Sequence, residues 1–138
     1  MRIASVALAF ALWLSADGAS AVSPDWGGVA GEKEIVITVQ QEDGNPRDVT
    51  IWLVVVDEQG YIRTRNTSWH DDIERVPDVS LRISGNDYAV RVSRVEEELL
   101  IDKVHTAYTA KYGTGPQILL GMLRPFLGSY NVYRVDNR

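Results

Sequence analysis

The residues Val49-Thr50-Ile51-Trp52-Leu53-Val54-Val55-Val56 form an almost unbroken apolar, largely β-branched run. Strand side chains alternate between two faces, so a strand of this composition has no face suited to water and has to be covered on both sides. Its neighbours read as strands too. Glu34 to Gln40 carries Ile35, Val36, Ile37, Thr38 and Val39, and Glu42-Asp43-Gly44-Asn45-Pro46 is dense turn chemistry. The two segments predict a hairpin whose second strand runs from Arg47 to Val56. Asp57-Glu58-Gln59-Gly60 predicts another turn, and Tyr61 to Arg65 a third strand with Tyr61, Arg63 and Arg65 on one face.

The period then changes. Ser68-x-x-Asp71 predicts a capped short helix with Trp69, Ile73 and Val76 on one side and Pro77 closing it. Asp78 to Ser84 alternates with Val79, Leu81 and Ile83 inward, Gly85-Asn86-Asp87 turns, and Tyr88 to Val95 completes a second hairpin. Ser93-x-x-Glu96 followed by Glu97 and Glu98 predicts the cap of a longer helix, with Leu100, Val104, Ala107 and Tyr108 on one side, ending at Lys111-Tyr112-Gly113. Gln117 to Leu127 is apolar and broken by Pro125, and Ser129 to Asp136 predicts a last strand. The expected fold is mainly β (α+β): a six-stranded antiparallel sheet with two to three helices. Such a sheet either closes into a small barrel, which removes its edges, or stays open with helices on one face.

A chain of 138 residues has room for one domain. Residues 1–21 read as a signal peptide: Arg2, the apolar run Ile3 to Leu14, and the small-residue site Ala19-Ser20-Ala21. Export to the periplasm or medium, with cleavage near Ala21, is therefore expected. Asp17 and Gly18 interrupt the run, so no stable membrane anchor is expected. Residues 22–33, with Pro24, Gly27, Gly28 and Gly31, read as a flexible arm that Trp26 pins, and residues 34–138 as the domain. The net charge is -5 and the basic residues are scattered, which argues against nucleic acid as a partner. There is no cysteine and there are two histidines, His70 and His105, so no metal centre is expected. His70-Asp71-Asp72 reads as a solvated helix face.

Standard catalytic spacings are absent: there is no Gly-x-Ser-x-Gly elbow, no Gly-x-x-x-x-Gly-Lys and no His-Glu-x-x-His. The segment that stands apart runs from Arg47 to Trp69. Arg47 opens strand two, Trp52 lies within it, and Arg63-Thr64-Arg65-Asn66-Thr67-Ser68-Trp69 leaves strand three for a helix. Guanidinium groups, hydroxyls and helix amides beside an aromatic wall suit an anionic cofactor with a flat ring. They equally suit ordinary sheet-surface arginines over core tryptophans.

Arg47-x-x-x-Ile51-Trp52-x-Val54-Val55, Gly60-Tyr61-Ile62-Arg63-Thr64, Trp69, Val76-Pro77-Asp78-Val79-x-Leu81 and Ala107-Tyr108-x-x-Lys111-Tyr112-Gly113 together resemble the split β-barrel family that binds flavin and deazaflavin. That family is typified by pyridoxamine-phosphate oxidase and deazaflavin-dependent nitroreductases. The resemblance spans residues 34 to 136, through the order and spacing of the set. It implies a six-stranded split barrel, a homodimer with the ring in a groove between subunits, and FMN or a 5-deazaflavin as cofactor. It also implies phosphate contacts from Arg47, Arg65 and Thr67, with Arg63 and Thr64 beside them and Trp69 near the ring. The implied reaction passes hydride from the reduced cofactor to a small-molecule substrate, with no catalytic side chain named. The leader lacks the paired arginines that export cofactor-loaded proteins. The alternative is accordingly a non-catalytic exported domain that binds a ligand or partner through the same groove.

Overall fold

Among the described residues seven strands form one antiparallel sheet: β1 (Ile35–Gln40), β2 (Pro46–Ile51), β3 (Leu53–Val56), β4 (Gln59–Thr64), β5 (Asp78–Ile83), β6 (Asn86–Arg94) and β7 (Asn131–Asn137). Among the described residues three helices accompany it: α1 (Trp26–Val29), α2 (Ser68–Arg75) and α3 (Glu98–Tyr112). This computed structural model describes residues 24–65, 67–113 and 130–138. The leader and the apolar segment Gln117 to Leu127 lie outside the described residues.

The six strands expected are therefore seven. The run from Arg47 to Val56, expected as a single strand, is two strands with Trp52 outside the ladder. The reason lies in the pairing. The sheet order is β2-β1-β5-β6-β7-β4-β3, so β2 and β3 are its two ends, yet one residue separates them in the chain. Ile51 pairs with Ile35 of β1, and Leu53 pairs with Ile62 of β4. The sheet curls into a half-barrel until a single segment serves both ends, and Trp52 is where that segment changes partner.

Alternation survives the break. Ile51 and Leu53 face an inner core with Ile37, Ile62, Leu81 and Val90, whereas Val54 faces outward with Tyr61 and Val132. Each Ile or Leu so buried contributes about 1.5–3 kcal/mol. The outer patch is covered by α3 through Val104 and Tyr108, with Leu100 and Ala107 half-buried beside them, as the helical spacing predicts. α2 packs against β1 and buries Ile73. His70 and Asp72, read as solvated, are buried too. Asp72 accepts from Arg75 at 3.1 Å, and His70 sits between Asp71 at 3.2 Å and Glu74 at 3.5 Å.

Both expected capping boxes are corrected. Thr67 precedes α2 and Glu97 precedes α3, neither with a side-chain cap bond. Ser93 stays in β6, because pairing with β7 continues to Arg94↔Tyr133 and the Val95 N–H donates to the Val132 carbonyl at 2.8 Å. A continuing ladder satisfies more backbone groups than an early helix turn would. The turn after β3 is also shorter than expected: Asp57 and Glu58 take φ of 51° and 61°, the left-handed pair of a two-residue hairpin. Gly60 consequently lies inside β4, where a Cβ would stand 2.4 Å from the Trp26 ring. That close approach, rather than a turn, is what demands glycine.

Candidate functional site

β4 turns Arg63 onto the outer face, between Tyr108 of α3 and Tyr130 at the entry to β7. Only 9% of the residue is exposed, and its guanidinium carbon lies 3.9 Å from one ring centroid and 4.1 Å from the other. Burial pushes its pKa down and the two tyrosines partly offset this, yet a guanidinium stays cationic at any physiological pH. Arg63 Nη1 donates to His105 Nδ1 at 3.0 Å. Because guanidinium has no acceptor, Nδ1 is the acceptor in this contact. Arg65 donates to Tyr130 Oη at 2.7 Å and leans on the same ring at 4.8 Å.

The opposite wall is Trp52. Tyr108 Oη donates to its carbonyl at 3.0 Å, and its indole stacks on Tyr112 at 4.1 Å with 3° between the planes. Burial raises the Tyr108 phenol far above its usual pKa, so it remains a neutral donor. Trp69, half-buried at the start of α2, completes the wall. Together with Val49, Thr50, Arg63, Tyr108 and Tyr130, the two tryptophans line a cleft of about 260 Å³. Aromatic faces with one buried cation at their edge favour a planar, negatively charged guest.

The residues singled out in the sequence divide among four places. Arg63 and Trp69 line the cleft together, and Arg65 reaches it through Tyr130. Thr67 is exposed at the start of α2, its N–H donating to the Arg65 carbonyl at 2.8 Å. Thr64 points to the inner side and is 3% exposed, its hydroxyl donating to the Arg65 carbonyl at 2.7 Å. Arg47 stands in a second groove of about 370 Å³, where it donates to Ser68 Oγ at 2.6 Å. Glu42, Asp43, Asp71, Asp72 and Arg75 line that groove as well, and four carboxylates against two guanidiniums disfavour a phosphate there.

Tyr130 and the wall role of Tyr108 were not legible. The helical period marks Tyr108 as apolar packing, and nothing local ties Tyr130 to β4. Lys111 and Tyr112, recognised only as part of a motif, form a clamp. Lys111 Nζ donates to the Glu32 carbonyl and, at 2.6 Å, to the Leu53 carbonyl. Tyr112 Oη donates to the Lys33 carbonyl at 2.6 Å and accepts the Leu53 N–H at 3.1 Å. The end of α3 thus ties the segment before β1 to the Trp52 break. Burial lowers the Lys111 pKa, with Glu32 opposing. Among the described residues, no three His, Cys, Asp or Glu side chains gather as metal ligands, and no helix is long and apolar enough to cross a membrane.

Solved structures share this fold at low identity. HutZ, the heme storage protein from Vibrio cholerae, is 16% identical with a TM-score of 0.63, over 81% of this chain and 87% of that one. The F420-H2 dependent reductase FDR-A is 15% identical with a TM-score of 0.59, over 76% and 95%. A pyridoxamine 5′-phosphate oxidase-like protein from Listeria innocua is 13% identical with a TM-score of 0.53, over 78% and 85%. No curated protein matches the chain. A family model does match, over residues 27–127, and on that match the chain belongs to the family of uncharacterized proteins conserved in bacteria, DUF2255.

Proposed function

We propose that this protein is an exported FMN- or 5-deazaflavin-dependent oxidoreductase that takes its cofactor ring into the Trp52–Trp69 cleft and reduces a small-molecule substrate. The observation that carries the reading is Arg63, a buried cation held between two tyrosine rings at the edge of an aromatic cleft. The fold likeness to an F420-H2 dependent reductase supports it. At about 260 Å³ the cleft falls just below the ~300–1,000 Å³ usual for a small-molecule pocket. It suits a ring better than a whole cofactor, so the phosphate end belongs outside it, toward Arg65 and Thr67. Arg47 acts at one remove by orienting Ser68, and Thr64 by fixing the Arg65 carbonyl.

When bound, a cofactor of this class supplies the hydride chemistry. The chain's own residues do the rest. Arg63 would stabilise negative charge on a bound ring, Trp52 and Trp69 would wall it off from water, and Tyr108 holds Trp52 in place. The second reading, a non-catalytic binding domain, is favoured by the likeness to a heme storage protein, since an aromatic, cationic cleft also suits a planar tetrapyrrole carboxylate.

Titrating purified protein with FMN, a 5-deazaflavin and haem while following tryptophan fluorescence tests both. The oxidoreductase reading expects saturable quenching by a flavin-type ligand, and oxidation of the reduced cofactor that Arg63→Ala abolishes. Binding without turnover selects the second reading, and no saturable binding discards both. Export rests on the leader pattern. Fractionation of cells followed by N-terminal sequencing tests it: a mature start near Val22 outside the cytoplasm supports export, and an intact Met1 inside contradicts it.

A further inference from the structure

Arg63 is gripped on both faces, by Tyr108 at 3.9 Å and Tyr130 at 4.1 Å from its guanidinium carbon. Two rings fix the tilt of a flat cation but leave it free to turn in its own plane, because a ring face offers no lone pair to a particular N–H. An acceptor at the edge settles that turn, and His105 supplies one: Arg63 Nη1 donates to its Nδ1 at 3.0 Å. His105 precedes Tyr108 by one helical turn on α3, so the same stretch of helix brings a ring to the face of Arg63 and a nitrogen to its edge. The imidazole is half-buried, lies 6.2 Å from the Tyr130 ring and does not itself line the cleft. We propose that His105 is a positioning residue that aims Arg63 into the cleft. Its consequence for affinity rests on the ring-binding reading above, whereas the aiming itself is a property of the ligand-free protein.

The choice of imidazole has a chemical reason. A carboxylate would hold a guanidinium more firmly, but it would also cancel the charge that an anionic guest is to meet. A neutral acceptor orients Arg63 and leaves its charge for the ligand. Imidazole does so only while the accepting nitrogen carries no proton. In the imidazolium both nitrogens donate, and two donors cannot share a hydrogen bond. A second proton on His105 therefore releases Arg63. The titratable and charged groups around the imidazole are Arg63 and Arg65, which both lean on the Tyr130 ring, Tyr130 itself, and Asp102 and Tyr108 one turn to either side on α3.

Three variants separate these roles: His105→Gln keeps a neutral acceptor that does not titrate, His105→Leu removes the acceptor, and His105→Glu makes it an anion. In the ligand-free protein, nitrogen NMR should show the Arg63 Nη signals resolved by slow rotation in wild type, His105→Gln and His105→Glu, and averaged in His105→Leu. In FMN titrations His105→Leu should bind at least about tenfold more weakly, and His105→Gln within about threefold of wild type. His105→Glu should bind as weakly as His105→Leu although its Arg63 stays ordered, which a merely structural role would not produce. In an Arg63→Met background His105→Leu should cost no further affinity. The ratio of wild-type to His105→Gln affinity should fall across the pH step at which NMR shows His105 taking its second proton, and the ratio cancels the titration of the FMN phosphate. Unchanged Arg63 signals in His105→Leu, a loss of affinity that persists in Arg63→Met, or a flat ratio across that step overturns the proposal. If wild type binds no FMN, the ring-binding reading falls, and the nitrogen NMR alone decides whether His105 aims Arg63.

Discussion

Arg63 is the residue on which the site turns, and its two roles separate experimentally. A buried cation contributes little to stability beyond what an apolar side chain of similar length would, whereas a charge-assisted contact to a ligand is worth about 1.5–3 kcal/mol. Arg63→Met should therefore keep its denaturation midpoint close to wild type while affinity for an anionic ring falls roughly 10- to 100-fold. Lysine should not rescue fully, because it cannot stack flat between Tyr108 and Tyr130. The phenols make a second prediction. Burial raises the pKa of Tyr61, Tyr108, Tyr112 and Tyr133 above 10.0. A raised folded value means the folded state holds its proton longer, so these groups stabilise fully below pH 10 and lose that contribution as pH rises beyond it. Lys111 and Arg63, both lowered by burial, oppose them but are outnumbered. Urea midpoints should accordingly fall above pH 10, with phenolate absorbance from these four appearing as the protein unfolds. At this scale the sequence was only partly readable. Strand alternation puts Arg63 on a face with Tyr61, but the rings that hold Arg63 come from α3 and the entry to β7, and no local pattern encodes that meeting. Gly60 reads as a turn residue for the same reason, since Trp26 reaches it from another part of the chain. Gly60→Ala should cost about 1–3 kcal/mol in a thermal melt, and Trp26→Ala should not add its full cost to it.

Among the elements, the Trp52 break and the end of α3 form one unit. Removing the Lys111 ammonium leaves the Glu32 and Leu53 carbonyls without it, so Lys111→Met should lower stability by about 1–3 kcal/mol in urea titrations. Tyr112→Phe should cost about 1 kcal/mol and speed hydrogen exchange at the Leu53 amide, which donates to the lost oxygen. Exchange at Ile62, deep in the ladder, should not change. The strands were largely legible because Val79, Leu81 and Ile83, or Ile35, Ile37 and Val39, repeat with the two-residue period of a half-buried sheet. Where β2 ends was not: the run through Trp52 keeps its alternation unbroken, and only the identity of the pairing partner changes. The caps misled for a related reason. Ser93 has the composition of a helix start, but ladder bonds to β7 compete for the same backbone.

At the scale of the whole molecule, a curled sheet whose ends share one segment places Trp52 on its seam, and α3 closes over that seam. The cleft is a consequence of closure, which explains why its walls come from β2–β3, β4, α2, α3 and the residue before β7. The mainly β, antiparallel class was readable from hydrophobic period, but period alone left a closed barrel and an open sheet as alternatives. The site was readable only as a set of residue types near Arg63 and Trp69, because closure decides which of them meet. The central claim is that this seam binds a planar anionic ring against Arg63. Tryptophan fluorescence of wild type and Arg63→Met, titrated in parallel with FMN and a 5-deazaflavin, tests it most directly. The account predicts saturable quenching in wild type and an affinity roughly 10- to 100-fold weaker in Arg63→Met; no saturable quenching by either ligand, or equal affinity in Arg63→Met, contradicts it.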